Sequence, residues 1–289
     1  MIIPTTTAQF SSFLNALSRS QRELLETNLL INFQIYQYLI ANDFSLQALQ
    51  LAEEALQAIE NEEAEDFEDY IEQENCQKLA NLAATGPNDA NIKPLVDELR
   101  TKTTADREWN VTFERTINFG ETITYADEDG IQESPFRYKS ETRTGTRVIG
   151  SIHTHPAGSY EMFSWIDLRT FRNTYRDVHQ NFRDGVFIMM VTDSGAVYAM
   201  QVTDFDALSA RIDADWAEAM INRPEKPEKY IEENFQELFS TSGGDLEHAF
   251  LDEYEDAGFT LSKAADNSLT NWNTLELDSS GGVQENSCN

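Results

Sequence analysis

The sequence predicts a mixed α/β (α+β) fold: a helical N-terminal region, a mixed central sheet flanked by helices, and a small α/β extension at the C-terminus. Three observations carry this. Apolar residues recur at helical spacing up to about residue 84. From Glu108 onward the chain alternates apolar and polar residues, as half-buried strands do. A continuous apolar run, Val186–Thr192, then reads as a strand covered on both faces.

In the N-terminal region, Thr5, Thr6 and Thr7 offer helix caps ahead of Phe10, Phe13, Leu14 and Leu17. A second helical segment, near Gln21 to Ala41, carries Leu24, Leu25, Leu29, Ile31, Ile35 and Leu39. It is apolar on more than one side, which predicts burial between helices or against a partner. Ser45 begins a third helix with a stripe of Leu49, Ala52, Leu56 and Ile59. Glu60–Glu74 holds nine acidic residues and no basic one, yet Phe67, Tyr70 and Ile71 keep a helical face. A solvated amphipathic helix is expected there, with a nucleic-acid mimic as the sharper alternative. Thr85-Gly86-Pro87-Asn88-Asp89 is a breaker cluster. It separates a recruiting region, 1–86, from a domain over 90–222, followed by an extension over 230–289.

Within 90–222, a short helix over Pro94–Arg100 precedes a strand from Glu108 to Phe119, continued by Ile123 and Tyr125. Phe136 and Tyr138 suggest a further short strand. The central strand runs Arg147–His155, and a helix follows over Trp165–His179. Asp193-Ser194-Gly195 turns one apolar strand into the next, Ala196–Val202, and a helix lies beyond Phe205. In the extension, Pro224–Lys229 reads as a stiff linker before two helices. Phe259–Ala264 and Trp272–Leu277 form a small hairpin, and Ser279–Asn289 a loose tail.

Composition limits the function. The chain has 289 residues with 51 acidic against 21 basic, a formal charge of −30. Such a surface repels phosphate backbones and anionic bilayers, so neither nucleic acid nor membrane is an expected partner. No apolar run approaches the roughly 20 residues that span a bilayer, and the first residues lack the basic and apolar regions of a signal peptide. A cytoplasmic setting is expected, with delivery by a specialised secretion system compatible with it. Cys76 and Cys288 form no Cys-x-x-Cys pair, and Cys76 has no histidine nearby to make it a nucleophile.

The chemistry concentrates in Val148-Ile149-Gly150-Ser151-Ile152-His153-Thr154-His155-Pro156 and Ser164-Trp165-Ile166-Asp167. Residues two apart on a strand project from the same face, so His153 and His155 can reach one point. Pro156 ends the ladder. Asp167 follows at the start of a helix, where Ser164 is placed as its cap. Two imidazoles and a carboxylate suit Zn²⁺, and three protein ligands leave a fourth position open, as catalytic sites do. His179 and His248 have no such pattern and read as solvated helix residues.

His-x-His-Pro followed by Ser-x-x-Asp resembles the signature of the JAMM (JAB/MPN) zinc metalloproteases over roughly residues 90–205, and more distantly the JAB-like domains of bacterial polymorphic toxins. The resemblance implies a JAB/MPN-like domain in which His153, His155 and Asp167 bind Zn²⁺ and Ser164 helps stabilise the tetrahedral intermediate. It further implies a glutamate base upstream. Glu108, Glu114 and Glu121 compete for that place, and Glu108 fits best because it opens a strand after a short helix. Tyr160, Glu161 and Trp165 are candidates for a substrate groove. The activity implied is zinc-dependent hydrolysis of an amide or isopeptide bond, with a ubiquitin-like protein or other polypeptide tail as substrate. A non-catalytic MPN-type scaffold and an acidic decoy acting through charge are the alternatives.

Overall fold

The computed structural model describes residues 3–41, 44, 46–85, 90–117, 123–127, 131–133, 146–178 and 180–288. The chain is mixed α/β, and it divides into two compact units, Met1–Asn75 and Cys76–Asn289. The division lies within a helix rather than at the 85–89 breaker cluster, and residues from 230 onward belong to the second unit. No helix among the described residues is long and apolar enough to cross a membrane.

The first unit is helical: α1 (Ile3–Ala16), α2 (Arg19–Thr27), α3 (Leu29–Ala41), α4 (Leu46–Glu60) and the first half of α5 (Phe67–Leu82). Its core is built from Leu25, Ile31, Ile35, Leu39, Ala52 and Leu56 with Phe13 and Phe67. The single helix expected near Gln21–Ala41 is two. Asn28 lies between them, and its Oδ1 accepts from the backbone N–H groups of Leu30 and Ile31. That side chain competes with the helical ladder and restarts it, a capping role open to asparagine.

The second unit is organised on one sheet. After α6 (Lys93–Arg100) come β1 (Trp109–Ile117), β2 (Ile123–Asp127), β3 (Gln132–Glu133) and β4 (Thr146–Thr154). α7 (Trp165–Asp177), β5 (Phe187–Val191), β6 (Val197–Val202), α8 (Phe205–Asn222), α9 (Pro227–Thr241) and α10 (Leu246–Glu253) follow. The chain closes with β7 (Phe259–Ala264), β8 (Trp272–Leu277) and β9 (Val283–Ser287). The strand order is β2-β1-β4-β5-β6-β7-β8-β9, with β3 also on β1. Every neighbouring pair is antiparallel except β4 and β5. A parallel pair needs a crossover, and here the crossover contains α7. β5 is buried along its whole length, as its unbroken apolar run requires.

Two expectations are corrected here, and one is extended. The bounds of the expected hairpin are those of β7 and β8, which pair antiparallel, and β7 joins it to the main sheet through β6; the linker and the tail differ from expectation. The stiff linker is partly helical, since Pro227 starts α9, a position that does not need its missing N–H. The loose tail is ordered: β9 pairs with β8, and Cys288 is disulfide-bonded to Cys76 across 212 residues, with Cα atoms 5.7 Å apart. The expected strand at Phe136 and Tyr138, and His179, lie outside the described residues.

Candidate metal centre

The site forms where the central strand ends and the crossover helix begins. β4 is paired on both sides, with Asn110 of β1 and Met190 of β5 flanking His153. Both imidazoles are therefore enclosed, at 8% and 6% exposure for His153 and His155. The backbone N–H of His155 still donates to Val191 O at 2.9 Å, so the second histidine keeps strand geometry one residue past β4. Asp167 is the third residue of α7. Ser164 precedes the helix in extended backbone and closes a capping box with it. Its N–H and hydroxyl donate to Asp167 Oδ2 at 2.7 and 2.8 Å, and its Oγ accepts from Asp167 N at 3.4 Å. The cap thus fixes the carboxylate as well as the helix end.

The structure brings the three expected ligands together. His153 Nε2 and His155 Nε2 are 3.2 Å apart, and Asp167 Oδ1 and Oδ2 lie 3.3 and 3.6 Å from them respectively. Bonds of about 2.0–2.1 Å in a tetrahedral zinc site put ligand atoms roughly 3.3–3.4 Å apart, so the spacing fits such an ion. The donor chemistry agrees. His155 Nδ1 donates to Tyr160 O at 2.7 Å, and the His153 ring bonds to the Met189 backbone. Those bonds hold each ring's N–H away from the site, so that the Nε2 atoms face each other and a carboxylate. Three acceptors this close repel unless a cation or a proton lies among them.

The electrostatics of the metal-free site follow from the same packing. Burial disfavours charge on His153 and takes its pKa down to about 4, against the pull of Asp167. Burial acts the same way on His155, but its hydrogen bond and charge interaction with Asp167 outweigh it and the pKa rises. Burial would raise Asp167, yet the two imidazoles and the Ser164 N–H hold its carboxyl well below the usual range. Of the two rings, His155 is the one on which an additional proton is favoured. A metal ion would replace that proton.

The three candidate bases separate clearly. Asn110 pairs with His153, and Trp109 N donates to Thr154 Oγ1 at 2.9 Å, so the register carries Glu108 to a place beside His155. Glu108 is exposed at the mouth of the site, but protein crowding on its carboxyl raises its pKa. The charge of His155 opposes that rise, and the charge of Asp167 adds to it. Glu114 lies opposite Val148, beyond a bulge, and is buried with Oε1 unpartnered. Four residues of strand put it about 13 Å from Asn110, out of reach of the ligands. Glu121 lies outside the described residues.

Of the expected groove residues, Trp165 is buried and stacks on Trp216. Glu161 accepts from Ser194 in the β5–β6 turn. Tyr160 acts mainly through its backbone: its carbonyl orients His155, while its hydroxyl donates to Gln236 O and its ring packs on Phe239 of α9. A main-chain acceptor has no side-chain signature, so this contact was not readable from the residues. His248 lies in α10, away from the ligand group. Among the described residues, the His153, His155 and Asp167 group could hold a metal ion. Comparison of the chain with models of protein families, with curated proteins and with solved structures finds no match, so the chemistry of this centre has to be argued from its own geometry.

Proposed function

We propose that this chain is a zinc-dependent metallohydrolase of JAMM (JAB/MPN) type that cleaves an amide or isopeptide bond in a protein substrate. The observation that carries the reading is the convergence of His153 Nε2, His155 Nε2 and the Asp167 carboxylate at tetrahedral spacing, with Glu108 at the mouth. His153, His155 and Asp167 would hold the ion, and no fourth His, Cys, Asp or Glu joins the group among the described residues. A structural zinc site fills four positions from the protein, whereas a catalytic one keeps a position for water or substrate. When bound, zinc supplies Lewis acidity that acidifies water and polarises a carbonyl.

The protein's own residues do the rest. Glu108 accepts a proton from the attacking water on its carboxylate and delivers it to the leaving amine nitrogen. Burial of its carboxyl in the metal-free chain favours the protonated form, the one it needs as the acid in the second half of the cycle. Ser164 holds Asp167. The hydroxyl has one proton to donate, so aiming it at a tetrahedral intermediate gives up the 2.8 Å bond to Oδ2. Among JAMM-like substrates, a ubiquitin-like protein or another polypeptide tail suits a site at the end of a strand. A non-catalytic scaffold or a charge-driven decoy has no use for three donors held this closely.

The test uses the purified full chain, elemental analysis for zinc, and a fluorogenic isopeptide library. His153→Ala is expected to lose the metal. Glu108→Gln is expected to keep it and lose hydrolysis by roughly 10²–10⁴-fold. Activity should fall with acid as the Glu108 carboxylate takes up a proton, read as the acid limb of the pH–rate profile. Failure to take up stoichiometric zinc would overturn the reading. Full activity in Glu108→Gln would overturn the base assignment alone.

A further inference from the structure

Helix α3 is apolar nearly all the way round, and only one side of it is packed. Ile31, Ile35 and Leu39 are buried in the core of the first unit. The other side carries Leu29, Leu30, Phe33 and Ile40, which are 80%, 57%, 59% and 38% exposed. At about 3.6 residues per turn, Leu29, Phe33 and Ile40 align within roughly 40° of one another, and Leu30 flanks them. The stripe is some 16 Å long, about four residues across the face of one helix. A contiguous apolar face of this kind on a protein surface marks an interaction site.

Charge selects the occupant. Residues 1–75 hold fourteen acidic side chains against two basic ones, a net charge of −12. A second copy of the chain would bring the same charge to the contact and be repelled, as would an anionic bilayer or a nucleic acid. A segment with leucine-like residues on one face and lysine or arginine on the other suits both the apolar stripe and the net negative charge of the unit. We propose that α3 is a docking face for a basic amphipathic helix of a partner protein. This holds whether or not the metal centre is hydrolytic, since it concerns another unit and is read by binding alone.

The probe is a fluorescent peptide of about 18 residues, long enough to form a helix on contact, with leucine at i, i+3, i+4 and i+7 and lysine elsewhere. Anisotropy titration of the full chain should show saturable binding that weakens with salt. A scrambled peptide of the same composition should bind at least about tenfold more weakly, as should the same pattern with glutamate in place of lysine. Leu29→Ser with Phe33→Ser should lose at least about tenfold with the helical circular dichroism unchanged. Should the double variant unfold, Leu30→Ser and Phe33→Ser singly serve the same purpose. Equal binding by the scrambled or the acidic peptide, or by folded variants, overturns the proposal. So does self-association in sedimentation that the variants abolish, since the occupant is then a second copy.

Discussion

Replacing Ser164 with alanine separates the capping role of this residue from its role at the metal centre. The hydroxyl makes two contacts with Asp167. It accepts from the backbone N–H at 3.4 Å, a long bond, so the loss of the cap falls at the low end of the usual range, about 0.5–1 kcal/mol. It also donates at 2.8 Å to a carboxylate whose side chain is only 16% exposed, a charge-assisted bond worth about 1.5–3 kcal/mol. The Ser164 N–H at 2.7 Å survives the substitution, so Asp167 is not orphaned, and the metal-free variant should lose about 2–3 kcal/mol. With one of its two anchors gone, the carboxylate is less well fixed. Zinc affinity should then fall by about 10–100-fold, as for other groups that orient a ligand. Urea denaturation in the presence of a chelator measures the first quantity, and zinc competition against a chromophoric chelator the second. Ser164→Thr keeps the hydroxyl and should recover most of both. If Ser164→Ala folds and binds zinc as tightly as the parent, the hydroxyl does not position Asp167 and the reasoning fails. If it loses zinc as completely as His153→Ala, the serine is itself a ligand, and the three-ligand geometry is wrong.

Two further outcomes follow from the second unit. Gly150 pairs with Phe187 across the parallel β4–β5 contact, and a Cβ there would come within 2.6–2.8 Å of the Phe187 ring. Gly150→Ala should cost about 1–3 kcal/mol by overpacking, read from denaturation midpoints, and Phe187→Leu should relieve part of it; additive effects would refute the contact. Reducing the Cys76–Cys288 bridge, or replacing both cysteines with serine, frees a closed loop of 212 residues and should cost up to about 5 kcal/mol. Recovery of the linked peptides without reductant tests the bridge directly. Their presence would favour an oxidising compartment over the expected cytoplasmic one.

The three residues that could hold a metal ion were legible because each is specified by local structure. His153 and His155 follow from strand periodicity, and Asp167 follows from a serine cap three residues earlier. Glu108 was legible as the residue that opens a strand, but its place beside His155 depends on register. The β1–β4 register is interrupted at Phe113/Glu114, where the pairing slips to Glu114 opposite Val148 and leaves Ile149 as the extra residue. No periodicity forecasts a bulge. The Cys76–Cys288 pair was not legible because its partners are 212 residues apart and have no spacing motif. The break at Asn28 was readable in principle, since asparagine is a capping residue, but the apolar run across it concealed the signal.

The two local motifs also explain why the centre can be ready before any metal arrives. The Asp167 carboxylate in the first turn of α7 is held ionised, although largely buried, first by the two imidazoles and then by the Ser164 N–H. The β4–β5 parallel pair obliges the chain to leave β4 and return through α7, which brings that helix N-terminus to the C-terminal end of the strand carrying the histidines. The carbonyl of Tyr160 then sets the orientation of His155, and the ring of Tyr160 is tied to α9, so the loop between the motifs is held at both ends. The fold thereby brings two imidazoles and a carboxylate to one point, where in the metal-free chain a proton favoured on His155 offsets the carboxylate charge. A cation that took the proton's place would find these groups already oriented.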